Sequence, residues 1–225
     1  MGLLMLVLAI GGFWPQYFSA VTGRAPAPTT QFWLIHLHAT LFTGWLLVYI
    51  FQATLIAVGR PRTHLRLGPW LAAYGSIVVL VGIFAAGVLA HRLGVREQNG
   101  DAAASFIFFP LIDMMFFGGF LVAAIVYRKR PDVHKRAMFL ATFSIAVVGL
   151  GRLVFRSGIE SEWVWQPMTL APVLIAFAHD WLVRRRLFAI MMVGLVVHIL
   201  RLNAEQFTAS EIWLPVGRML VAPFG

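Results

Sequence analysis

Cysteine is absent from the 225 residues. That excludes disulfides, thiolate-held metal clusters, cysteine nucleophiles and covalently attached c-type haem, so any metal or haem would have to be held by His, Met, Tyr or carboxylate. Charge is scarce as well, at 12% of residues against 60% hydrophobic. A soluble globular domain is roughly 45–50% apolar. The only lysines, Lys129 and Lys135, share one polar stretch, which rules out the in-span lysine of a retinal Schiff base. No Walker loop, dinucleotide fingerprint, H-E-x-x-H pair or G-x-S-x-G elbow occurs. The first apolar stretch lacks a basic start and a small-x-small cleavage site, and reads as a short span rather than a signal peptide.

What the sequence does contain is a succession of apolar runs, each of a length that crosses a hydrocarbon core about 30 Å thick as a helix of roughly 17–25 residues. Hydropathy and helix breakers predict helices over 2–18, 33–58, 69–91, 104–127, 137–156, 168–184 and 187–203. The expected fold is all-α: one transmembrane domain over 1–225, a polytopic bundle of about seven helices. Three of the gaps are densely basic: Arg60, Arg62 and Arg66; Arg128, Lys129, Arg130, Lys135 and Arg136; Arg184, Arg185 and Arg186. They hold 11 of the 18 Lys and Arg residues. The remaining gaps are neutral or acidic: 25–28, 96–101, and 160–162 with Trp163 and Trp165 following. By the positive-inside rule the N-terminus is cytoplasmic and the C-terminus periplasmic or extracellular, in a cell inner membrane. Residues 209–221 are expected to lie along the outer interface. A net charge of +9 spread between apolar runs is not the solvated basic face of a nucleic-acid reader. The expected partners are the lipid bilayer and, in one reading, other membrane subunits or further copies of this chain.

Two of the basic gaps repeat a pattern. Arg60-Pro61-Arg62-Thr63-His64-Leu65-Arg66 and Arg130-Pro131-Asp132-Val133-His134-Lys135-Arg136 both spell R-P-x-x-H-x-R, 70 residues apart. Each opens a helix after an inner turn, so 33–91 and 104–156 read as two parallel hairpin repeats about an axis normal to the membrane. Convergence on a common inner-turn chemistry is the alternative. The repeat would bring His64 and His134 together as an imidazole pair able to hold b-type haem or a metal, with Arg66, Arg136 and Gln52 nearby. The competing reading is two interfacial anchors on lipid phosphate.

Ionisable residues inside spans are the other candidates, because they face protein or water rather than lipid. His36 and His38 point about 200° apart on a helix. His38 shares a stripe with Trp45 and Gln52 at intervals of seven, and is taken as the inward histidine. Asp113 lies about 14 Å into its predicted helix at 1.5 Å per residue. An outer-half cluster of His38, Asp113 and Arg152, extended by His91 and His198, is expected, with an Asp113–Arg152 ion pair or a His-ligated metal within it. His179 and Asp180 are read as headgroup neighbours.

These residues also carry a resemblance. His38-x-x-Leu41-Phe42-Thr43-Gly44-Trp45 followed by Gln52, then G-R-x-x-x-H-x-R-L-G over 59–68, Pro110 with Asp113-Met114, His134-Lys135-Arg136-x-Met138 with Ala141-Thr142, and Arg152 resemble a widespread group of uncharacterised bacterial polytopic membrane proteins. The pattern spans about 33–186. The group is similar in helix count and histidine placement to membrane proteins linked to haem–copper oxidase maturation, and more loosely to b-type transmembrane cytochromes. It departs from the latter, which pair haem-ligating histidines inside opposing spans, since His64 and His134 stand at turns and the fourth predicted helix has no histidine. The resemblance implies a redox or haem- or metal-linked membrane protein. A non-catalytic accessory or assembly subunit of a respiratory or photosynthetic complex, and a small-molecule transporter or sensor, are the alternatives.

Overall fold

A computed structural model describes residues 1–24, 32–159 and 161–225; the expected outer loop at 25–28 and Glu160 lie outside them. The described chain is helical from end to end. Helix α1 (Gly2–Phe13) runs through a π-helical turn (Trp14–Phe18) into Ser19–Val21. Then follow α2 (Phe32–Ala57), α3 (Pro61–Glu97), α4 (Gly100–Val126), α5 (Pro131–Arg156), α6 (Glu162–Arg184) and α7 (Ala189–Leu202). After a short turn of helix at Glu205–Thr208, α8 (Trp213–Val221) closes the fold.

The seven predicted intervals all fall on helices, but several helices run further than their apolar cores. Helices α3 and α5 begin at Pro61 and Pro131, each with Pro in the first turn and Arg60 or Arg130 as the flanking residue. Proline suits that position because its missing N–H would have no intrahelical acceptor there. The two copies of R-P-x-x-H-x-R therefore fold alike: the His64 N–H donates to the Arg60 carbonyl (3.3 Å) and the His134 N–H to the Arg130 carbonyl (2.9 Å). Gly59 supplies the left-handed residue (φ +72°) that lets the first of these turns reverse. At the other end of the hairpin, Asn99 caps α4 by accepting from the Asp101 and Ala102 N–H groups.

Among the described residues, four helices (Trp33–Ala57, Pro61–Glu97, Gly100–Val126 and Pro131–Arg156) are long and apolar enough to cross a membrane. Helix α6 carries Pro167, Pro172, Gln166 and a charged end. Helix α7 has 14 residues, or about 21 Å at 1.5 Å per residue. The three basic turns gather at one end of the bundle, and the turn 97–100 and residues 156–159 at the other.

Helix α5 is the centre. It is buried almost continuously from Arg136 to Leu150 and touches α1, α2, α4, α6 and α7. Small residues let its neighbours in: a Cβ on Gly149 would stand 2.8 Å from the Ala9 Cα, and one on Gly12 would stand 2.2 Å from the Gly149 carbonyl oxygen. The Trp45 indole N–H donates to Thr142 Oγ at 3.3 Å, tying α2 to the same helix. Close backbone approach of this kind, rather than apolar burial, is what holds helices together in lipid. Of residues 209–221, Trp213–Val221 form α8, which packs on α4 and α3: the Trp213 indole donates to the Ala104 carbonyl (2.7 Å), and a Cβ on Gly217 would meet that carbonyl oxygen at 2.7 Å.

Gly149→Ala should thus lower the detergent melting temperature by several degrees, on the scale of the ~1–3 kcal/mol of an overpacked contact. Gly151→Ala, two residues on with open space around its Cα, should leave it unchanged; equal melting temperatures for the two would refute the α1–α5 contact.

Candidate functional site

The basic end carries the expected imidazole pair. His64 on α3 and His134 on α5 meet with ring centroids 6.1 Å apart and planes at 82°. His134 is oriented by its own hairpin: its Nδ1 lies 2.8 Å from the Ala124 carbonyl oxygen. That contact requires Nδ1 to be the donor, which leaves Nε2 of the neutral ring as a lone pair. The His64 ring lies close to the main chain of Gln52 on α2. Nδ1 of His64 and both amide atoms of Gln52 are buried with no hydrogen-bond partner. Buried polar atoms are nearly always paired, so the free Nδ1 of His64, and the free amide of a residue whose main chain adjoins that ring, mark coordination or hydrogen-bonding capacity that the protein itself does not use.

The two arginines assigned to this site differ. Arg66 is exposed, two residues beyond His64 on α3. Arg136 is not free to hold a cofactor, which corrects the expectation. Its guanidinium is buried, bonded to Asp180 through Nε (2.6 Å) and Nη2 (2.5 Å), to the Asp132 carbonyl through Nη1 (2.6 Å), and stacked over Phe188 at 3.3 Å. Asp180 is thus a structural counter-ion rather than a headgroup neighbour, while His179 beside it is exposed. The signal in the sequence was a single carboxylate at the inner end of a helix flanked by arginines.

The outer-half residues do not form one cluster. Asp113 is the middle residue of α4, about 20 Å from either end at 1.5 Å per residue, and so deeper than expected because α4 begins at Gly100. It is buried and makes a two-pronged ion pair with Arg201 on α7, the Arg201 Nη2–Asp113 Oδ2 bond being 2.7 Å. Arg152 is not its partner: it is exposed and lies 4.8 Å over the Phe13 ring, because that face of α5 turns toward α1. Arg201, one turn beyond His198, is the cation that carries the role expected of Arg152.

His198 is fully buried among Phe116, Phe120 and Phe143, with Nδ1 2.7 Å from the Gly194 carbonyl and Nε2 3.4 Å from Ser144 Oγ. His38 stacks on Phe42 at 3.9 Å, and its Nδ1 is buried without a hydrogen bond. His91 lines a separate shallow depression with Gln98, Asn99 and Arg218. His36, read as interfacial, is exposed and bonds Tyr17 Oη through Nδ1 at 2.7 Å. Among the described residues no three His, Asp or Glu side chains converge on a point where a metal could sit, so the outer metal site has no ligand set there.

No family model matches this sequence, and no curated protein or solved structure does either.

The ion-pair assignment is open to a double-mutant cycle. Removing one partner of a buried pair leaves an uncompensated charge and costs about 3–5 kcal/mol, so Asp113→Ala and Arg201→Ala should each lower stability strongly, and the double variant by far less than their sum. Asp113→Ala combined with Arg152→Ala should be additive; coupling in that second pair instead would overturn the assignment.

Proposed function

We propose that this chain is an integral inner-membrane protein that crosses the bilayer seven times, and that its working centre is the polar site at its basic end. There His64 and His134 hold an imidazole-ligated cofactor or metal, which gives the protein a redox or cofactor-linked role. The observation that carries this reading is the meeting of two histidines 70 residues apart at 6.1 Å, one of them with its Nδ1 buried and without a partner. Two independent interfacial anchors would each point to water and lipid phosphate. Here one imidazole is fixed on a main-chain carbonyl, the arrangement that orients metal-ligating histidines.

The membrane frame is supported by the distribution of polar and aromatic groups. Trp70, Tyr127 and Trp181 are exposed near the basic turns, and Trp14, Trp33 and Trp163 near the opposite end, as aromatic belts are. Gly2 packs on Tyr49 and Ile50, in the half of α2 nearer the basic turns, whereas Tyr17 meets His36 near the other end. With the basic turns cytoplasmic, α1 then enters from the cytoplasm and α8 ends outside. Helix α7 crosses only with the help of the segment after it: Arg201, on the last turn, meets Asp113 at the middle of α4, and Thr208 meets Ser105 nearer that helix's outer end. The parallel-repeat reading of 33–91 and 104–156 rests on the two matched turns.

Two measurements test this. Purified in mild detergent, the protein should carry either a haem absorption band that shifts on reduction or a bound transition metal, lost in the His64→Ala/His134→Ala double variant; a folded wild-type preparation with neither refutes the reading. Because the chain has no cysteine, single cysteines at Lys129 and Ser161 report orientation in intact cells: an impermeant maleimide should label the second and not the first, and the reverse would invert the topology.

A further inference from the structure

The donor atoms at the basic end say more about what they hold. We infer that the group is a bare divalent transition-metal ion rather than haem, bound by His64 Nδ1, His134 Nε2 and Gln52 Oε1 with one position open; this rests on the reading of that site as an imidazole-ligated centre. The first argument is which atoms are left over. His134 uses Nδ1 on the Ala124 carbonyl and presents Nε2. His64 has its Nδ1 buried and unpartnered. Nδ1 is flanked by the ring carbon that carries Cβ, so a ligand bound there comes close to the side chain's own stem. A small ion tolerates that approach. A porphyrin plane, which extends in every direction around the iron, collides with it.

The second argument is number. An axial haem site needs two imidazoles, and a third buried donor has no use in it. Gln52 supplies one, with both amide atoms buried and unpartnered, on a helix whose main chain the His64 ring also approaches. Two imidazole nitrogens and one oxygen suit Zn, Cu, Ni or Co among the common divalent ions. Two imidazoles sharing a tetrahedral ion at about 2.0–2.1 Å from each nitrogen have ring centres roughly 5 Å apart. The observed 6.1 Å is about 1 Å wider, so the two rings draw together by that much when the ion binds.

The third argument concerns charge. All three donors are neutral, and among the described residues no carboxylate joins the two histidines, so the donors offset none of the ion's positive charge. Arg60, Arg62 and Arg66 flank His64, and none makes an ion pair among the described residues. These cations oppose a naked dication and favour an anion in its coordination shell. The fourth position is therefore occupied by an exogenous anion, hydroxide or a carboxylate, held by the metal on one side and by guanidinium on the other. Three protein ligands with an exchangeable fourth is the pattern of a reactive rather than a structural metal site.

The test uses the full-length protein in detergent, stripped with a chelator and then titrated separately with Co2+ and with hemin. One Co2+ should bind per chain, with the visible bands of a nitrogen- and oxygen-bound four-coordinate ion. His64→Ala and His134→Ala should each weaken it by about 100-fold and Gln52→Ala by about 10-fold, on the scale seen for altered metal shells, while His91→Ala changes nothing. Each variant is first checked for wild-type elution and helical signal. Should they misfold, the wild type alone decides, since Cu2+ bound there must show the electron-resonance splitting of two nitrogens. Hemin binding that depends on both histidines without Co2+ uptake would overturn the ion and leave the cofactor reading standing. Uptake of neither overturns both. Co2+ binding indifferent to both histidines overturns the assignment of the site.

Discussion

A charge taken out of water must meet its opposite, and two such meetings hold the outer helices of this bundle to its centre. Arg136 on α5 is bonded to Asp180 on α6, and Asp113 on α4 to Arg201 on α7, each through two hydrogen bonds. An unpaired charge in a low-dielectric interior is strongly unfavourable, whereas a well-bonded pair roughly offsets its own desolvation. The pairs therefore contribute little net stability, but they penalise every arrangement in which α6 or α7 drifts. Those two helices need this. Neither has the uninterrupted apolar length of α2 to α5, and α6 carries two prolines. Arg136 also lies two residues beyond His134, so the pair that anchors α6 stiffens the turn of α5 on which the imidazole site stands.

Within the centre, small residues set the spacing. The Gly12–Gly149 crossing and the alanines and hydroxyls of α5, including Ala137, Ala141, Thr142, Ser144 and Ala146, are buried. The large apolar side chains Leu80, Met115, Phe155 and Val183 face outward. A water-soluble bundle would reverse that arrangement. In lipid, apolar surface gains nothing by turning inward, and packing favours what lets backbones approach. The Thr142 and Ser144 hydroxyls bond the carbonyls four residues earlier, so these two hydroxyls are satisfied within the helix.

Element existence was legible because hydropathy and proline act locally: every predicted interval is helical, and R-P at 60–61 and 130–131 marks helix starts that hydropathy alone would place eight or six residues later, at 69 and 137. The partners of charged residues were less legible. Asp113 could be recognised as a deep carboxylate, but helix rotation decides whether it meets Arg152 or Arg201, and a one-residue turn of about 100° exchanges one for the other. The same holds for His38, His91 and His198, which share a depth range without sharing a point. The inner pair escaped this difficulty because His64 and His134 occupy equal positions in equal turns, so that whatever brings the turns together brings the imidazoles together as well.

That coincidence has a physical root. A cytoplasmic turn between two spans needs cations to stay inside, a proline to restart the helix, and a first helical turn whose exposed N–H groups face the headgroups. A histidine in that first turn projects beside the preceding helix end, where Ala124 offers His134 a carbonyl whose own helix is ending and which can accept a further bond. The chemistry of topology and the meeting of the two imidazoles thus draw on the same seven-residue pattern. They differ in what they need of the arginines: topology is served by any basic residue in the turn, whereas Arg136 is fully committed to Asp180 and Arg60, Arg62 and Arg66 are not. The first copy of the motif is therefore the one whose charges remain without an ion pair among the described residues.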